Sequence, residues 1–105
     1  EEAMVELLNF YGLNDQEVKG RLDQARAALN NQDDSTRIAI GSLFAGLLRG
    51  FQAYKAAVDA GTLTPEKKLE RETQIKDKVA STFAGSVRNK KGLGISLPRQ
   101  KPAGN

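Results

Sequence analysis

Cysteine, histidine and tryptophan are all missing from the 105 residues. Without cysteine there is no disulfide framework, no thiolate nucleophile and no thiolate metal site. Without histidine the commonest metal ligand and the usual neutral-pH acid–base group are gone as well. Most familiar catalytic constellations are therefore excluded on residue type alone. Long hydrophobic runs are lacking too. The stretch from Ile38 to Val58 is broken by Arg49, Gln52 and Lys55, short of the ~18 to 20 apolar residues that span a bilayer, so no membrane span is expected. The chain starts at Glu1 with no basic segment leading into an apolar one; either a leader has been removed or this is a piece of something longer.

What is present is the balance of one small globular domain, 28% charged and 39% hydrophobic. The charge is unevenly placed. From Arg88 to Asn105 there are five basic residues and no acidic one, whereas the first 87 residues hold 11 basic and 13 acidic side chains. A near-neutral body with a cationic end points to a module carrying an arm that touches an acidic partner, a phosphate backbone or a membrane surface. A solvated, solubilising tail is the plain alternative.

Four helical patterns and no strand pattern run along the body. Met4, Leu7, Leu8 and Tyr11 fall on one face of a short first helix, stopped at Gly12. Asn14 with Glu17 three residues on forms a capping box that opens a second helix, whose narrow stripe is Val18, Leu22, Ala25 and Leu29. Asp34 or Ser35 is expected to cap a third helix ending at Gly61. Its broad apolar face is Ile40, Leu43, Phe44, Leu47, Leu48, Phe51, Tyr54 and Val58. Thr64-Pro65 starts a fourth helix, with Glu66 suiting its N-terminal dipole. Nine of the thirteen residues from Glu66 to Lys78 are charged, and Ile75, Val79, Phe83 and Val87 supply an apolar stripe further on. Its first turns are expected to project into solvent and its second half to dock. The fold class is thus all-α: a small bundle of about four helices, one short and three longer, with an extended basic C-terminal arm. The expected division is a helical bundle domain over 1–91 and a Gly/Pro-containing tail over 92–105.

Within the tail, Leu93, Ile95 and Leu97 alternate, and Ser96-Leu97-Pro98 favours extended backbone. That pattern fits a strand-like peptide laying one apolar edge into a groove. Lys90, Lys91, Arg99 and Lys101 flank it with positive charge. These seven residues are the expected partner-binding arm.

A second motif is Ser-x-Phe-Ala-Gly-x-x-Arg, present at Ser42–Arg49 and again at Ser81–Arg88. Two copies with unmatched flanks do not make a repeat protein. Ser42, Gly46 and Gly50 lie on one side of the third helix, and each mid-helix glycine costs ~1 kcal/mol relative to alanine. Gly41, Gly46 and Gly50 together need a compensating close contact, with the fourth helix or with another subunit. Ser42, Gly46, Gly50, Ser81 and Gly85 are accordingly the expected helix-packing or interface residues, with Gly46 and Gly85 at a close helix crossing.

Other chemistry is weakly represented. Gly92-Leu93-Gly94 after Lys90-Lys91 lacks both the Walker spacing and a following helix, so no nucleotide site is expected. Glu1-Glu2 and Asp33-Asp34 lack the spacing of a calcium loop, and capping explains the second pair. No serine and lysine stand in an identifiable catalytic arrangement; no catalytic residue, cofactor or metal is implied. The six aromatics fall on the proposed buried faces and read as core. The basic residues Lys67, Lys68, Arg71, Lys76 and Lys78 are balanced by Glu66, Glu70, Glu72 and Asp77, which weakens a phosphate-tracking stripe.

These features point to a non-catalytic structural, assembly or adaptor protein in a larger complex, such as a virion or similar particle, with a protein partner or self-association. Two rivals remain: an accessory nucleic-acid-binding protein using the basic tail, and an inhibitor or effector occupying one target protein.

Overall fold

Three of the helices begin where a side chain can accept the orphan N–H groups of a first turn. In the computed structural model, which describes residues 2–85 and 92–98, the chain forms α1 (Glu2–Tyr11), α2 (Asp15–Asn30), α3 (Asp34–Asp59) and α4 (Pro65–Ala84), with no strand among the described residues. The Asn14 side chain accepts from the Glu17 backbone N–H at 2.8 Å, and the Asn14 backbone N–H donates to Glu17 Oε1 at 3.0 Å, completing the capping box. Thr64 Oγ1 accepts from the Lys67 N–H at 3.1 Å, with Pro65 in the first turn.

The cap of α3 differs from the expected Asp34 or Ser35. It is Asp33, whose carboxylate accepts from the Thr36 N–H at 2.7 Å. Asp34 is already helical and pairs with Arg37, so both acids serve the same terminus, one as cap and one in the dipole field. The fourth helix also ends sooner than the Val87 stripe implied. Gly85 takes φ +93°, a conformation side-chain-bearing residues rarely adopt, and turns the chain away after Ala84. Val87 lies outside the described residues.

At ~1.5 Å per residue, the 26 residues of α3 give a central rod of about 39 Å. It packs chiefly on α4 and also on α1, while α2 rests mainly on α1. Leu7, Leu8 and Tyr11 of α1 meet Ile40, Leu47, Phe51 and Tyr54 of α3 and Val79 and Phe83 of α4 in one core. Phe44 sets its ring edge-on to Phe83, with centroids 5.1 Å apart, and Phe10 packs on Phe51 and Tyr54 at 5.0 and 5.6 Å. Leu43 departs from the expected face: it is 43% exposed and lies outside the core. The first turns of α4, through Arg71, are exposed, and its docked half begins near Glu72.

The C-terminal segment 92–98 joins this core but is not the expected extended arm: Gly94 takes φ +71° and bends it. Leu93 and Ile95 are buried, and their N–H groups both donate to the Phe83 carbonyl, at 3.1 and 2.9 Å. That carbonyl, near the end of α4, has no partner further along the helix. The Tyr11 hydroxyl donates to the Pro98 carbonyl at 2.5 Å and pins the far end of the strap onto α1.

Candidate functional site

An exposed helix face is ordinarily covered with charge. The outward face of α3 is not. Eleven positions between Ile38 and Ala56 are exposed, and Arg49 is the sole charged residue among them. Gly41, Ser42, Ala45, Gly46 and Gly50 make much of this surface, with Ile38 71% exposed at one end.

The glycines on this face do not meet α4 closely. Among the described residues, a Cβ built on Gly46 would have only Arg49 Nη2 within reach, at 4.0 Å, and one built on Gly41 or Gly50 would have nothing within 4 Å. The expected close crossing of Gly46 and Gly85 is therefore not made within the chain. The reason is geometric: Gly46 borders an open groove between α3 and α4, whereas Gly85 lies past the end of α4 against the Gly92 backbone. A Cβ on Gly85 would stand 3.1 Å from Gly92 Cα, so its close neighbour is the returning strap. The same eight-residue motif thus lies wholly in helix at Ser42–Arg49 but runs past a helix end at Gly85. Ser81 is exposed on α4, and its hydroxyl donates to the Lys78 carbonyl at 3.2 Å.

The arm residues divide as well. Leu93, Ile95 and Leu97 pack on this chain's own core, beside α1 and α4, with the backbone bent at Gly94 and not in the strand-like form the alternation implied. Sequence reasoning found the alternation and missed the acceptor, because nothing local marks the Phe83 carbonyl as the strap's partner. Lys90, Lys91, Arg99 and Lys101 lie outside the described residues.

Among the concavities beside α3, two adjoin its apolar surface. Between α3 and α4 runs a groove of about 680 Å³, where Gly46 and Gly50 leave space above Leu47, Tyr54 and Ile75 and the α4 wall is Arg71, Gln74 and Lys78. Between α2 and α3 is a smaller cleft of about 250 Å³, lined by Leu22, Leu29, Phe44, Leu48 and Phe83 with Arg26 beside them. This cleft was not legible in the sequence, since every apolar residue lining it also reads as core. It arises because α2 leans on α1 and not along α3.

Electrostatics along the α3/α4 seam is structural. Tyr54 Oη donates to Glu72 Oε2 at 2.5 Å, and burial, that hydrogen bond and the nearby carboxylate charge push the phenol up to about 12. A hydroxyl held protonated in this way is a tether, not a base. Lys55 pairs with Glu6 at 2.7 Å and lies over the Phe51 ring, while Lys76 lies over Phe10. The Asp33 carboxylate is held below its ordinary value by the Thr36 backbone N–H first, then the Thr36 side chain and Arg37. Among the described residues no three acidic side chains gather where a metal ion would bind, and no helix is long and apolar enough to cross a membrane. No protein-family model, curated protein or solved structure matches the chain.

Proposed function

We propose that this protein is a non-catalytic assembly subunit that docks through the outward face of α3 onto another copy of itself in a larger complex. The observation that carries the reading is the small, nearly uncharged surface from Ile38 to Ala56. Each glycine in it weakens the helix by about 1 kcal/mol relative to alanine, and among the described residues no close contact offsets that loss. A helix from a second subunit, approaching where side chains are absent, supplies the close backbone contact that glycine permits. The lone Arg49 and the exposed Leu43 and Ile38 leave little charge to desolvate on docking.

The chain contains no cysteine, which makes a direct test simple. Ser42→Cys, on the proposed face, should form disulfide-linked dimers rapidly under mild oxidation. Gln24→Cys, exposed on α2, should not. Equal slow rates at the two positions would count against α3 as the docking face.

A further inference from the structure

The charges on α4 balance in number but not in position. Lys67, Arg71, Gln74 and Lys78 fall at i, i+4, i+7 and i+11, which is one edge of the helix. One residue earlier the same spacing carries Glu66, Glu70 and Asp77, about 100° further round. All six charged residues are exposed. The helix thus shows solvent a basic edge and an acidic edge.

The basic edge overlooks the groove between α3 and α4. Arg71, Gln74 and Lys78 form its α4 wall, and Leu47, Tyr54 and Ile75 its apolar floor. On the α3 side Gly46 and Gly50 bring no side chain, and Arg49 Nη2 comes within 4.0 Å of where a Cβ of Gly46 would stand. Cations therefore stand on both rims, and Asp77 is the one acid among the described residues that borders the groove. Lys55, Arg37 and Arg26 each pair with an acid, whereas among the described residues Arg49, Arg71 and Lys78 belong to no ion pair. An apolar floor between cationic rims fits a segment whose apolar stripe is bordered by carboxylates, the pattern of an amphipathic acidic helix. The edge from Lys67 to Lys78 runs about 16 Å, three helical turns, so carboxylates three and four residues apart on a helix lying alongside would meet it. Glycine in the opposite wall lets that helix approach closely. A phosphate polymer fits less well, because the aromatic of the floor, Tyr54, is 5% exposed and held by Glu72, which leaves no ring for a base to stack on.

We propose that the α3/α4 groove binds an acidic amphipathic helix of another protein, with Arg49 on one rim and Arg71 and Lys78 on the other pairing with its carboxylates. The inference stands on the groove and its cations and needs no self-association. A helix seated there lies beside Gly46 and Gly50, so it and a second copy of α3 compete for the same glycines.

The test uses the full chain, dilute enough to be monomeric, and two labelled, capped peptides of about 18 residues, five helical turns. Both peptides carry a leucine stripe, bordered by glutamate in one and by lysine in the other. Fluorescence anisotropy should show the glutamate peptide bound about tenfold or more tightly than the lysine peptide. Arg71→Glu and Lys78→Glu should each weaken that binding about tenfold, whereas Lys19→Glu, an equal change of net charge at an exposed site on α2, should alter it less than about twofold. Gly50→Leu, which puts a side chain into the groove, should abolish binding with the helicity of the chain unchanged. Equal weakening by Lys19→Glu would reveal a general attraction to a cationic chain and would overturn the proposal, as would binding of neither peptide. A single-stranded oligonucleotide bound more tightly than the glutamate peptide, and lost on Arg71→Glu, would assign the groove to nucleic acid instead.

Discussion

Replacing Gly46 and Gly50 together by alanine should stabilise the isolated chain while weakening its assembly. Both glycines lie inside α3, and a Cβ at Gly50 meets nothing within 4 Å while one at Gly46 meets only the mobile end of Arg49 at 4.0 Å. No clash therefore opposes the helix-propensity gain of about 1 kcal/mol per site, which arises largely because alanine has fewer unfolded conformations to lose. The pair should add about 2 kcal/mol. For a domain of this size that raises the melting temperature by about 8 to 16 °C. Urea or thermal unfolding followed by circular dichroism, at a concentration low enough to keep the chain monomeric, measures the gain. The double variant should then associate less than the parent, because its methyl groups hold the approaching helix away. Loss of stability in the monomer would refute the reasoning, for it would mean that the glycines already meet something inside the chain.

Three other substitutions probe the fold around this face. Ile95→Ala should destabilise the chain by about 2 to 3 kcal/mol in urea unfolding, near the low end for buried isoleucine because the strap is free to relax; an unchanged midpoint would place the strap outside the cooperative core. Thr64→Ala removes the cap of α4 and should cost about 1 kcal/mol, with Thr64→Ser restoring most of it. Tyr54 gives a pH-dependent test. Its phenol titrates near 10 when unfolded and at about 12 when folded, so the neutral hydroxyl contributes stability that is complete below pH 10 and lost as pH rises toward 12. Wild type should lose stability relative to Tyr54→Phe across that interval, and parallel curves would show that burial and Glu72 do not raise the phenol as described.

Much of the helical layout was legible in local chemistry. Asn14 with Glu17, and Thr64 with Pro65, mark their helix starts because capping depends on residues three or four apart. The periodic faces of α1 and α3 follow from spacing for the same reason. Misreadings came where adjacent candidates compete for one local role or where distant partners decide. Asp33 and Asp34 are equivalent in sequence, and only the backbone geometry assigns the first as cap and the second to Arg37. The Ser-x-Phe-Ala-Gly motif gave no sign that Gly46 would face outward while Gly85 turned the chain. Leu93, Ile95 and Leu97 announced a docking edge, yet a pattern of alternation carries no information about which chain supplies the groove. The α3 face was half legible: its glycines stood out, and their exposure depended on how α2 and α4 pack.

The most direct test of the assembly claim is the molar mass of the chain by light scattering, over a wide concentration range and at low and moderate salt, beside Gly46→Leu. A Cβ at Gly46 meets only Arg49 Nη2 among the described residues, at 4.0 Å, so leucine there is expected to leave the monomer folded while blocking the proposed helix approach. The account predicts that the wild-type mass rises above that of a monomer with concentration, that moderate salt leaves the rise intact because the face carries one charge, and that Gly46→Leu suppresses it while remaining folded. A wild-type chain that stays monomeric throughout, or a Gly46→Leu chain that associates equally well, would contradict it.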